Sequence, residues 1–212
     1  MQARGLDTLY DIAEPQGGYF ATRQAVEAGI SKRLLSHYAL QKDIVRVAHG
    51  VYRLRRFPDH RFGDLIATVL WVGGDSAISH DSALAVYGLG AAMPPVIHVT
   101  VPRLFRGKRP GVVIHRAALP VDDVVLRDDV PVTGVERTLC DVAVVGEPSL
   151  AQQAAREALG RGLTTRARLL KKIDVAPERD HLRQLFGLTK AKGAVASQDA
   201  PLHASGIAPP GA

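Results

Sequence analysis

Four arginines, Arg46, Arg53, Arg55 and Arg56, fall within the stretch IVRVAHGVYRLRR at residues 44–56. A guanidinium does no covalent chemistry at neutral pH; it holds carboxylates and phosphates through a planar fork of N–H donors. Just upstream, SKRLLSHYALQK brings Ser31, Lys32, Arg33, Ser36 and His37 together, with Lys42 at its end. Short polar and basic side chains of this kind grip phosphates and reach base edges. The chemistry both stretches fit is non-covalent binding of a polyanion, with affinity from counterion release.

Other candidate chemistries find less support. His80, His98 and His115 carry no H-x-x-x-H or H-E-x-x-H spacing and no cysteine partner, so no metal site is expected. His98 and His115 alternate with Val and Ile, which reads as strand histidines facing solvent. Ser79, His80 and Asp81 are sequence neighbours and point apart, whereas a catalytic triad is assembled from separate segments. Asp122-Asp123 and Asp128-Asp129 read as turn and cap residues. No strand-borne Asp precedes a Glu-x-Lys, and VGGDSA lacks the lysine and spacing of a phosphate loop. Cys140 is the single cysteine, in the apolar context TLCDVAV, and reads as a buried inert thiol with no disulfide to form. Neither catalysis nor a cofactor is expected. The cluster Arg103, Arg106, Lys108 and Arg109 reads as a solvated strand-to-strand loop, or as a second nucleic-acid patch.

The 212 residues suffice for one large domain or two small ones, and 46% hydrophobic with 23% charged residues is a globular composition. The net charge is +6, and residues 1–56 carry 9 Lys and Arg against 5 Asp and Glu. Positive charge therefore concentrates in the first quarter of the chain. The N-terminus lacks the apolar core of a secretion signal and LIATVLWV is too short to span a bilayer, so a cytoplasmic protein is expected.

Helical spacing over residues 6–15 stops at Pro15 and Gly17-Gly18. A short extended piece leads to a second helix capped by Thr22 and ended by Gly29. Ser31 caps a third helix whose inward face is Leu34, Leu35 and Tyr38. A hairpin follows, with Val45, Val47, Tyr52 and Leu54 inward, Val51, Arg53 and Arg55 on the other face, and His49-Gly50 at the tip. Three helices and a hairpin, cationic outside, are the order of a winged helix-turn-helix, whose third helix enters the major groove. Arg46, Arg53, Arg55 and Arg56 are expected on the DNA backbone. After the linker FPDHR, strands and helices alternate. Thr133 with Glu136 and Ser149 with Gln152 read as capping boxes, and two short helices are expected near 165–173 and 177–186. The expected fold class is α+β. A winged helix-turn-helix occupies 1–56 and a mixed α/β domain 60–187, and an Ala/Gly/Pro/Ser tail at 188–212 reads as disordered.

The N-terminal stretch, through Gly29-Ile30-Ser31, Arg46-Val47 and Gly50-Val51-Tyr52-Arg53, resembles the winged-helix domain of AbiEi antitoxins from type IV toxin–antitoxin systems. SHDSALAVYGL, IHVTVP and PVTGVERTLCDVA are similar to the segments that follow that domain, and the likeness runs over about residues 6–160, loosely to 186. It implies a repressor of its own promoter, bound at inverted repeats. It also implies an antitoxin that counters a nucleotidyltransferase-like toxin without a stable complex. The family commonly has Gly where this chain has Lys42, which adds a phosphate contact or weakens the helix end. Some relatives add a nuclease-like domain, and that activity is not expected here. Two other readings of the same residues are a basic module for RNA or an acidic protein, and a metal-dependent nuclease.

Overall fold

Leu9 and Ala13 are fully buried on α1 (Gln2–Ala13), the helix their spacing predicts. The computed structural model describes residues 2–188, with side chains from Gly5 onward. The tail expected to be disordered lies outside the described residues. Pro15 sits in a 3-10 turn, after which Gly17 at φ +61° and Gly18 at φ +88° reverse the chain into β1 (Tyr19–Ala21). Gly18 is required twice over: its backbone is left-handed, and a Cβ there would collide with the Phe57 ring.

The elements α2 (Thr22–Glu27), α3 (Lys32–Leu40), β2 (Ile44–Ala48) and β3 (Val51–Leu54) complete a winged helix-turn-helix. Its antiparallel sheet has the order β1-β3-β2. Thr22 is not the cap of α2 but its first residue. The Gln24 side chain accepts from Ala21 N–H at 2.8 Å, and the Thr22 hydroxyl donates to Gly50 O at 3.1 Å. Phe20, Leu35, Tyr38, Ile44 and Leu54 fill the space between helices and sheet, each fully buried side chain contributing about 1.5–3 kcal/mol.

A second, larger core begins at α4 (Gly63–Val72), seven of whose ten residues are buried. A helix apolar on all sides must be covered on all sides. One side packs on the small sheet and the other on a mixed sheet of order β6-β5-β4-β8-β7. Its strands are β4 (Ala77–Ile78), β5 (Ile97–Val101), β6 (Val112–Arg116), β7 (Val124–Arg127) and β8 (Val130–Thr133). Between β4 and β5 lies α5 (His80–Tyr87), and α6 (Val135–Val145), α7 (Pro148–Gly160), α8 (Arg166–Asp174) and α9 (Arg179–Leu185) follow. Asp128 and Asp129, at φ +49° and +60°, make the tight β7–β8 turn that two positive-φ residues favour.

Two further expectations are corrected. Neither capping box forms. Glu136 instead reaches Arg168 and Thr164, and Thr133 bonds Thr138 at 2.7 Å. Gln152 donates to Leu185 O, and Pro148 opens α7. The hairpin's most buried residues are Ile44, Val51 and Leu54 rather than Val45, Val47 and Tyr52, because both faces of the small sheet are covered. The strand-to-strand loop RLFRGKRP joins β5 to a parallel β6 and so returns across the structure. On the way Phe105 packs edge-on against Trp71 of α4 at 5.1 Å, and Arg103 binds Asp75 and Val72 O.

Candidate nucleic-acid interface

The N-terminus of α3 is fixed by Ser31, whose Oγ accepts from Leu34 N–H at 3.2 Å. With Leu35 and Tyr38 buried, the helical period turns Lys32, Arg33 and Ser36 to solvent, where all three are exposed. His37 is half-buried beside the Tyr38 ring. Burial, with Asp43 and Asp7 nearby, holds the Tyr38 hydroxyl above its ordinary pKa.

The helix ends in a left-handed turn at Lys42, with φ +62°, Asp43 N–H donating to Tyr38 O and Lys42 N–H to Ala39 O. That is a Schellman closure with lysine in the glycine position. A left-handed L residue costs about 1–2 kcal/mol, partly offset by the entropy glycine loses on folding. Lys42→Gly is therefore expected to raise stability by about 0.5–1 kcal/mol in urea unfolding. A simultaneous loss of affinity for duplex DNA would show that the side chain contacts it.

The hairpin splits its arginines between two faces. Arg46 pairs with Tyr52, and Tyr52 with Phe20, so Arg46 lies on the helix-side face of edge strand β2, where it is exposed. Its guanidinium is 3.2 Å from His49 Nδ1 and donates to Ala48 O at 3.4 Å, which folds it along the hairpin tip. Arg55 and Arg56 are exposed just beyond β3, and Arg55 N–H donates to Asp43 O, which ties this corner to the end of α3. Arg53 departs from expectation. It pairs with Tyr19 and Val45 on the opposite face, the one α4 covers. Its side chain is 17% exposed, meets Asp59 at 2.5 Å and donates to Phe57 O at 3.2 Å. The period-two alternation is right, but Arg53 closes the corner after the hairpin instead of standing in solvent.

Three histidines that the sequence scatters meet at one place. His80 opens α5 at φ +52°, and His98 and His115 come from adjacent strands β5 and β6. His98 Nδ1 lies 2.9 Å from His115 Nε2, the His80 and His115 rings stack at 3.7 Å, and His80 Nδ1 is 2.9 Å from Ser79 Oγ. The expectation that His98 and His115 face solvent is thus corrected. Burial, with its two neighbours and Arg137, pulls His80 down to about 3, and burial with His98 takes His115 to about 4. Burial lowers His98 as well, against the opposing charge of Asp81. No spacing rule finds this cluster, because its members sit on three elements joined only by sheet order.

Histidines harder to protonate when folded than when unfolded make stability fall with acid. Stability is full above the unfolded value near 6.5 and declines as pH drops toward about 4 and 3. The slope is about 1.4 kcal/mol per pH unit for each such histidine. Urea midpoints at pH 7 and pH 5 should differ accordingly, and His115→Gln should narrow the difference.

Elsewhere, Asp123, Arg137, Asp141 and Lys172 form a half-buried charge network beside a cavity of about 460 Å³. Burial pushes the Asp141 carboxyl up despite the guanidinium beside it, whereas Asp141 and Asp123 hold Arg137 above its ordinary value against its own burial. Asp123, expected as a turn residue, is thus a buried ion-pair partner of Arg137 and Lys172. Cys140 is buried as expected, and burial pushes its thiol up to about 12. No described helix is long and apolar enough to cross a membrane.

Two family models match the chain. One, described as "Transcriptional regulator, AbiEi antitoxin", covers residues 7–55, and the other, "AbiEi antitoxin C-terminal domain", covers residues 76–188. The crystal structure of the RV2827C protein from Mycobacterium tuberculosis is similar in fold. Its TM-score is 0.51 at 15% identity, over 88% of this chain and 76% of that one. No curated protein matches.

Proposed function

The chain belongs to the AbiEi antitoxin family, one of whose models describes a transcriptional regulator, and from that premise we propose that it is a DNA-binding repressor of its own operon. The winged helix-turn-helix, taken as residues 1–56, docks on duplex DNA. Lys32, Arg33, Ser36 and His37 lie in the major groove under the Ser31 cap, and Lys42, Arg46, His49, Arg55 and Arg56 lie along the flanking phosphates. The observation that carries this reading is the joint exposure of Lys32, Arg33 and Ser36 on α3 with Arg46 on the helix-side edge of the hairpin. Arg53 has no part in contacting DNA; it braces the hairpin through Asp59.

The remainder, taken as 60–187, is the antitoxin domain. The operon it governs holds a nucleotidyltransferase-like toxin, countered without a lasting complex. No reaction is assigned to the chain.

The test is fluorescence anisotropy of the full chain with duplex from its own upstream region, against the same bases shuffled and against RNA. The reading predicts preference for the upstream duplex. Equal affinity for shuffled duplex would overturn it, and preference for RNA would replace it with an RNA-binding module.

A further inference from the structure

We propose that His80, His98 and His115 form a binding site for one first-row divalent transition ion, with Zn²⁺ the natural occupant. One ring nitrogen from each residue lies within 4.8 Å of the others. Around tetrahedral Zn²⁺, at about 2.0–2.1 Å per nitrogen, ligand atoms sit roughly 3.3 Å apart. His98 Nδ1 and His115 Nε2 already face each other at 2.9 Å, so an ion replacing their shared proton needs an opening of only a few tenths of an ångström. The His80 ring is stacked on His115 and must turn its in-plane nitrogen inward. That motion is a limited rotation about χ2, a broad torsion in histidine, with Nδ1 kept within reach of Ser79 Oγ.

Two features of the surroundings suit this role. Thr100 Oγ1 donates to Ser79 Oγ at 2.8 Å, and Ser79 Oγ lies 2.9 Å from His80 Nδ1. With Nδ1 engaged by Ser79, Nε2 is the His80 nitrogen left to reach the ion, and Ser79 takes the place of the outer partners that orient metal-bound histidines. His80 also adopts φ +52°, a conformation few non-glycine residues take, at the point where the chain leaves β4 and enters α5. That turn delivers its ring to the two strand histidines.

The donor set decides the class of ion. Three neutral imidazoles with no carboxylate or thiolate among them suit Zn²⁺, Cu²⁺, Ni²⁺ or Co²⁺ and not Mg²⁺ or Ca²⁺. Three protein ligands leave the fourth position to water or a small anion.

The site is independent of the DNA-binding surface, so it is tested apart from it. Full-length protein stripped with a chelator is titrated with Co²⁺. One equivalent is expected to produce the visible absorption of a tetrahedral nitrogen site, and Zn²⁺ to abolish it. His98→Gln and His115→Gln should each weaken Zn²⁺ binding by at least about a hundredfold, beyond what loss of an outer partner does. His49→Gln and His181→Gln, at exposed positions, should leave it unchanged. Imidazole resonances of the unsubstituted protein provide a reading that needs no variant: Zn²⁺ should shift those of His80, His98 and His115 together. Failure to bind near one equivalent, binding that survives His115→Gln in folded protein, or shifts confined to other histidines would each overturn the site.

Discussion

Alanine at both Lys32 and Arg33 is expected to weaken binding of the upstream duplex by about a hundredfold or more, because each side chain that grips a base or phosphate from a recognition helix is worth roughly 1–3 kcal/mol. Both side chains sit in the first turn of α3, where recognition helices present residues to base edges. Both are exposed, and among the described residues neither enters a side-chain ion pair. The double substitution should therefore leave stability within about 0.5 kcal/mol, as exposed positions do. Arg53→Ala should behave in the opposite way. It removes an ion pair and a bond to Phe57 O that close the hairpin corner. Stability should fall while the affinity of the folded protein for DNA holds. Anisotropy titrations paired with thermal melts separate the two outcomes. A loss of affinity in Arg53→Ala matching that in the double variant would remove the distinction between the faces.

Arg137→Ala is expected to cost about 3–5 kcal/mol, the range for stripping one partner from a buried ion pair. The Arg137 side chain is 15% exposed and reaches Asp141 at 2.7 Å, Asp123 at 3.2 Å and Ala118 O at 3.0 Å. Without it Asp123 keeps Lys172 as its one ion-pair partner among the described residues. Asp141 is left with no ion-pair partner among the described residues, one of its oxygens being buried and unbonded already. Arg137→Lys should recover only part of the stability, since a single ammonium cannot span two carboxylates as the guanidinium fork does. Urea unfolding decides the matter, and a cost below about 1 kcal/mol would mean that water or rearrangement satisfies both acids.

The features legible in the sequence are those set by chemistry within a few residues. Ser31 caps α3 because its hydroxyl meets an N–H three residues on, and Gly17-Gly18 turns the chain because of what glycine's φ allows. The order of three helices and a hairpin could be read for the same reason, and so could the turn at Asp128-Asp129, though not the pairing of β7 with β8 around it. What escaped depends on partners far along the chain. Alternation places Val51 and Arg53 on one face, but only α4 decides that this face is covered, and α4 begins at Gly63. The capping boxes failed because Glu136 and Gln152 found long-range partners in Arg168 and Leu185. His80, His98 and His115 converge through the parallel pairing of β5 with β6, and the return of the chain across α4 leaves no trace in local periodicity. The basic candidates of α3 needed no such partner, and all but half-buried His37 emerged exposed.

The claim that α3 and the hairpin present one continuous surface to duplex DNA is tested most directly by the salt dependence of affinity, measured for the unsubstituted protein and for a variant with alanine at Lys32, Arg33, Arg46 and Arg55. Each phosphate no longer neutralised lowers the steepness of log K against log salt by about 0.9. The variant is expected to lose roughly two units of slope, about one for each of the phosphate contacts Arg46 and Arg55, with Arg53→Ala retaining the full value. An unchanged slope in the fourfold variant would contradict the claim and place the DNA, if it binds at all, on another part of the molecule.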